Sequence, residues 1–192
     1  MRSTLKTLLA LAIAIVVMLL IRATVVTIYG VEGQALMPYF MAGDHVMVNR
    51  WSYGLRVGGN HFMHYSRLWR QPVERGDVVA VNDPTDTLQS AVDDRHVLFL
   101  RCKNMPGDSI MTGGKWLVIP SRAACDDADY YLMEPIGRSP LSGEYGRTPL
   151  LIPEDHIIGR AFLIIYSHDP EQPLWSGWRK DRFLAICGFQ EN

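Results

Sequence analysis

Between the basic residues Arg2 and Lys6 on one side and Arg22 on the other, the chain runs through fourteen uncharged, almost wholly apolar residues, Leu8 to Ile21. As a helix this run spans about 21 Å, short of the roughly 30 Å hydrocarbon core of a bilayer. A spanning helix must therefore borrow from Leu5 or from the Ala23 to Tyr29 side, with Arg22 snorkelling or facing protein. The h-region of a cleaved signal peptide has a similar length. The nearest small-x-small form after the run, Gly33-Gln34-Ala35, lies some fourteen residues beyond Ile21, farther than a usual cleavage region. The run is accordingly read as an uncleaved anchor within residues 1–29, with the N-terminus in the cytoplasm because basic residues precede it. Residues 30–192 then form a domain on the outer side.

What remains of the 192 residues suffices for one compact domain. With 19 basic against 20 acidic side chains and no basic stripe, nucleic acid is not an expected partner. Sixteen Gly and eleven Pro punctuate runs of Val, Ile, Phe and Tyr, a pattern of strands and turns. His61-x-x-His64 stands in a polar stretch without acidic or thiol neighbours, so no metal is expected, and no cofactor. Of Cys102, Cys125 and Cys187, at most two can bridge. Cys102 with Cys125 is the favoured pair, since a hairpin turning at Gly113-Gly114 brings them together.

The alternation in His45 to Arg50 predicts a strand opened by Gly43-Asp44, with Val46 and Val48 facing the core. Further strands are expected over Val78 to Val81, Val97 to Cys102, Trp116 to Ile119 and Ala161 to Tyr166. Residues 54–71 read as a long loop. Residues 120–150, dense in Gly and Pro, read as a loop or insertion. The tail Trp175-Ser-Gly-Trp178-Arg-Lys-Asp-Arg-Phe183 fits either an amphipathic surface segment or a membrane-interface segment.

The order of motifs is more specific than any one of them: an anchor, Ala35-Leu36-Met37-Pro38-Tyr39, Gly43-Asp44 with a strand, Arg75-Gly76-Asp77 with a strand, Met105-Pro106-Gly107-Asp108, and Pro153-Glu154 with Gly159 before a final strand. In this order the chain resembles type I signal peptidases, the S26 family of bacterial serine endopeptidases that remove export signals. The resemblance implies a mainly β fold, antiparallel sheets on a single N-terminal transmembrane helix. It also implies a serine nucleophile at position 35 and a lysine general base at position 100, six residues before Pro106. Here these positions hold Ala35 and Leu100. Alanine has no hydroxyl to attack a carbonyl, and leucine cannot take a proton in the manner of a desolvated lysine. The family's acidic and amide block before Pro153 is absent from Gly137 to Arg147.

Relocated chemistry has few sources. Lys103 lies three residues beyond Leu100, an odd offset that points to the other face of a strand. Ser52 and Ser167 follow strands, and a Cys102 and His96 dyad would lie some 20 Å apart along a straight strand. Leu36, Met37 and Pro38 are the expected lining of a substrate pocket, reshaped by Tyr39. Three readings follow: an inactive relative that binds signal peptides or surface-protein precursors beside an active peptidase or assembly machinery; a divergent peptidase acting through residues not identified; and an anchor subunit with no groove. The expected location is the outer face of a bacterial cytoplasmic membrane.

Overall fold

The computed structural model describes residues 2–31, 36, 39–58, 65–85, 96–124, 128–136, 149–173 and 175–187. Helix α1 covers Arg2–Val25, and its apolar side chains from Leu8 to Met18 are exposed. Among the described residues no helix is long and apolar enough to cross a membrane, so the expected span is not supported there. Its boundary is also corrected. The helix stops at Val25 and passes directly into strand β1 (Val26–Gly30), because a Val-Thr-Ile-Tyr run of β-branched and aromatic residues favours a pleated surface and finds a partner in β2 (Asp44–Asn49).

The remaining strands are β3 (Leu55–Val57), β4 (Ser66–Leu68), β5 (Val78–Asn82), β6 (Val97–Asn104), β7 (Ser109–Thr112), β8 (Lys115–Val118), β9 (Tyr130–Pro135), β10 (Leu150–Pro153), β11 (Ile157–Ser167) and β12 (Ala185–Ile186). The main sheet has the order β1-β2-β11-β5-β6-β9-β10, with β12 added to β11, and its pairs are antiparallel. The pairs β3-β4 and β7-β8 stand apart as hairpins. The mainly β expectation is met.

Alternation along the central strands divides the interior in two. On β5, Val78 and Ala80 join a first core with Val31, Phe40, Val46, Val48 and Phe99. Val79 and Val81, pointing the other way, join a second core with Leu100, Cys102, Tyr131, Met133 and Ile157. The sheet curls around the first core: Tyr29 on β1 meets Phe99 on β6 edge to face at 6.5 Å between ring centroids, although three strands separate β1 from β6 in the sheet.

Two loop expectations are corrected. Residues 54–71 contain the hairpin β3-β4. Residues 120–150 are no mere insertion, because β9 lies within them, pairs with β6 and β10, and sends Tyr131 and Met133 into the second core. Its Tyr-Tyr-Leu-Met run is short, and Pro135 closes it where only a strand end tolerates proline. The β7-β8 turn does fall at Gly113 and Gly114, whose φ angles of 58° and 78° suit a two-residue turn that demands positive φ at both positions. The expected disulfide is not formed: Cys102 is a buried free thiol, and Cys125 lies outside the described residues.

Candidate active-site region

The turn before β2 is held from several directions. Tyr39 and Phe40 donate backbone N–H groups to the Leu36 carbonyl, each at 3.1 Å, Gly43 N–H donates to Val31 O at 2.9 Å, and Val31 N–H donates to Asp44 O at 2.8 Å. Phe40 is buried and its ring lies 5.4 Å from that of Phe99. Gly43 has φ of 87°, and a Cβ there would fall 1.7 Å from the His168 carbonyl oxygen, so the close passage of the chain at His168 admits only glycine.

Asp44 is wholly buried. Its Oδ2 accepts the Met41 N–H at 2.8 Å, and the Arg182 guanidinium donates Nε to Oδ1 at 3.1 Å and Nη2 to Oδ2. Arg182 Nη2 also donates to the Tyr39 carbonyl at 2.7 Å, and Arg179 Nη1 to the Ala42 carbonyl at 2.9 Å. Two arginines of the C-terminal tail thus clamp the turn by charge-assisted bonds. The basic residues of that tail were legible as an amphipathic segment, but their partners, more than 130 residues away, were not.

Of the residues expected at the site, Ala35, Met37 and Pro38 lie outside the described residues. Leu36 packs on the first core. Leu100 does not face it. Paired with Val79 on β5, Leu100 is 3% exposed and belongs to the second core, on the other side of the sheet. The β6 side chains turned toward the Leu36 to Phe40 segment are Phe99 and Arg101, whose guanidinium lies 5.8 Å from the centroid of the Tyr39 ring. Counting from Pro106 identified the residue at the expected position without revealing on which side of the sheet it lies.

The alternative groups are occupied otherwise. Lys103 sits at a register shift of β6 against β9 and donates Nζ to Glu134 Oε2 at 3.3 Å. Burial pushes the Cys102 and Cys187 thiols up to about 12, so neither is a thiolate near neutral pH. His96 supplies its carbonyl to the Asp83 N–H. Ser167 is buried, and its hydroxyl accepts from Arg179 Nη1 at 3.2 Å, a donor that cannot act as a base. Ser52 lines a cavity of about 280 Å³ with Asn49, Arg160 and Cys187. Among the described residues no group of three His, Cys, Asp or Glu side chains could hold a metal ion; His61 and His64 lie outside them.

The sequence motifs are also joined to one another. Arg75 Nη2 lies 2.8 Å from both carboxylate oxygens of Asp108, uniting the Arg-Gly-Asp and Pro-Gly-Asp turns. The Met105 N–H leads the interactions that hold the Asp108 carboxyl below its ordinary range. Asp77 accepts the Tyr53 hydroxyl at 2.8 Å and pairs with Arg160, the last residue of the Pro-Glu block, at 3.0 Å. Glu154 of that block is buried and pairs with Arg122 at 3.1 Å.

No curated protein matches the chain. Over residues 4–166 it matches the signal peptidase, peptidase S26, family, and those residues include every motif block joined above. The chain therefore belongs to the S26 signal peptidase family.

Proposed function

We propose that this S26 protein engages the signal peptides of exported precursors at the outer face of a bacterial cytoplasmic membrane and does not cleave them. The single observation behind the loss of cleavage is the orientation of β6: Phe99 and Arg101 meet Phe40 and Tyr39 while the side chain at the expected base position, Leu100, belongs to the second core, and position 35 is alanine.

Binding is favoured by the strand edges. Among the described residues β1 pairs only with β2, β6 pairs with β9 only from Leu100 onward, and Val97 to Phe99 pair with β5 alone. An extended peptide can add to such an edge through its main chain while alternate side chains meet the floor, here Tyr29, Phe40 and Phe99. A membrane setting is favoured by the outer face of the same strands. Ile28, Met47, Leu163 and Ile186 lie in register across β1, β2, β11 and β12, and Ile186 is 79% exposed. This apolar row occupies a face that alternation would otherwise leave to polar residues. It adjoins the end of α1, since Arg50 after β2 donates its N–H to the Val25 carbonyl at 2.9 Å.

The test is the detergent-solubilised full-length protein against a fluorescent Ala-x-Ala signal peptide, read by anisotropy for binding and by fragment release for cleavage. Binding without release is expected. Release above a protein-free blank would return the chain to the peptidases, and absence of binding would remove the groove.

A further inference from the structure

The outer face of the sheet holds a cavity that signal-peptide binding leaves unused. Alternation along β2 turns Val46 and Val48 into the first core and sends Met47 and Asn49 outward. Asn49 pairs with Arg160 on β11, and the next outward rung is the apolar row of Ile28, Met47, Leu163 and Ile186. Gly159 lets the two strands close up here, since a Cβ at that position would run into the Asn49 carbonyl. Between Ala161 and Leu163 the pairing of β11 with β2 shifts register, which leaves Phe162 as an extra residue and re-aims its side chain. Beside this bulge opens a cavity of about 280 Å³, walled by Asn49, Ser52, Arg160, Phe162, Ile186 and Cys187.

One wall of the cavity is made of donors. The Trp51 N–H takes Asn49 Oδ1 at 2.9 Å, so the amide that remains to Asn49 is its Nδ2 donor. Arg160 sets Nη2 3.0 Å from Asp77 Oδ1 and keeps half of its side chain exposed. Asp77, which also accepts the Tyr53 hydroxyl, balances the Arg160 charge and fixes the guanidinium, whose fork of five N–H groups exceeds what that contact uses. The site therefore offers positioned donors without surplus charge, and among the described residues its wall holds no carboxylate. A phosphate diester presents acceptor oxygens only, whereas every peptide carbonyl arrives with an N–H that would need an acceptor here. The other wall, Phe162 with Ile186, is apolar and runs on into the exposed row, where Ile186 is 79% exposed. A ligand with phosphate at one end and hydrocarbon at the other meets both walls.

We infer that this cavity holds the phosphate diester of a membrane phospholipid, with Asn49, Ser52 and Arg160 on the phosphate oxygens and the acyl chains laid along Phe162, Ile186 and the apolar row. At about 280 Å³ it lies at the lower end of small-molecule sites, room for a headgroup while the chains stay on the row. The inference rests on the membrane setting proposed above and adds to it one lipid held at a fixed place. That place is on the other face of the sheet from the peptide groove, which the first core floors.

The probes are dihexanoylphosphatidylcholine, dihexanoylglycerol, which has the chains without the phosphate, and glycerophosphocholine, which has the phosphate without the chains. Each is titrated into the detergent-solubilised full-length protein and read by native mass spectrometry. A single saturable adduct of the phosphatidylcholine is expected, with either fragment bound about tenfold more weakly. Ser52→Asp sets a carboxylate against the phosphate and should weaken the adduct about tenfold or more, while Ile186→Ser should weaken the lipid and leave glycerophosphocholine unchanged. Both substitutions spare the Arg160 and Asp77 pair, and melting temperatures confirm that the variants fold. Dihexanoylglycerol bound as tightly as the phosphatidylcholine, or Ser52→Asp binding as wild type does, would overturn the site; glycerophosphocholine bound as tightly as the lipid would overturn its assignment to a lipid. Flotation with phosphatidylcholine vesicles tests the membrane setting separately. Wild type and Ser52→Asp that float alike, with no soluble adduct, keep the setting and remove the cavity, whereas an adduct on a protein that does not float keeps the cavity and removes the setting.

Discussion

Arg182 closes on Asp44 with two of its nitrogens, bridging 138 residues of chain to neutralise a carboxylate that has no exposed surface. A buried charge left without its partner is costly, on the order of 3–5 kcal/mol. Arg182→Ala should therefore lower unfolding free energy by about 3 kcal/mol in a urea titration, whereas Lys180→Ala, two residues earlier in the same 3-10 turn but exposed, should change it little. Equal effects from the two would show that the clamp does not hold the turn.

Gly43 is a second determinant of that turn. Gly43→Ala must relieve an impossible approach to the His168 carbonyl and accept a positive φ, and a loss of about 3 kcal/mol is expected. Gly76→Ala also meets positive φ, but a Cβ there has nothing within 4 Å, so its cost should be nearer 1 kcal/mol. Paired denaturation curves check the difference.

The position of Leu100 predicts the outcome of a repair experiment. In Ala35→Ser with Leu100→Lys, the new ammonium would enter the second core beside Val79 and Met133, where charge is strongly disfavoured. A lower melting temperature and no cleavage of an Ala-x-Ala substrate are expected. Cleavage by the double variant would show that the β6 register places residue 100 at the groove.

Stability should fall in alkali. Burial raises the Cys102 and Cys187 thiols to about 12 and the Tyr65 hydroxyl to about 12; burial and then the charge of Asp77 raise Tyr53 as well. Each folded group keeps a proton that its unfolded counterpart gives up, so the folded state binds more protons and loses ground as pH rises. The contribution is complete below pH 9, shrinks from about 9 for the thiols and about 10 for the tyrosines, and is gone near 12 for Cys102, Cys187 and Tyr65. Melting temperature measured from pH 7 to 11 should decline above 9, and less steeply in Cys102→Ala with Cys187→Ala.

Much of the sheet was legible because its central strands carry simple patterns. Val46 and Val48 alternate with half-buried neighbours, and Val78 to Asn82 is buried on both faces as a continuous apolar run would be. β9 was hidden because its four-residue signal lies between acidic and proline-rich text, and its assignment comes from pairing with β6 far from it in sequence. The β3-β4 hairpin was hidden in the same way, its Arg56 and Arg67 side chains reading as loop polarity although both lie against the Tyr65 ring. At the site, Asp44 was visible as a turn residue but not as the partner of Arg182, and Leu100 was visible as a count from Pro106 but not as a core side chain. Spacing along one strand gives face relative to a neighbour; the curl of the whole sheet decides which face meets the turn.

Helix α1 and strand β1 follow one another without an intervening residue. Val25 ends one and Val26 begins the other, and the Arg50 N–H pins the joint at the Val25 carbonyl. Beyond β1, Val31 bonds Asp44 and Gly43 through its main chain, so the strand that follows the helix is tied to the turn that Arg179 and Arg182 hold.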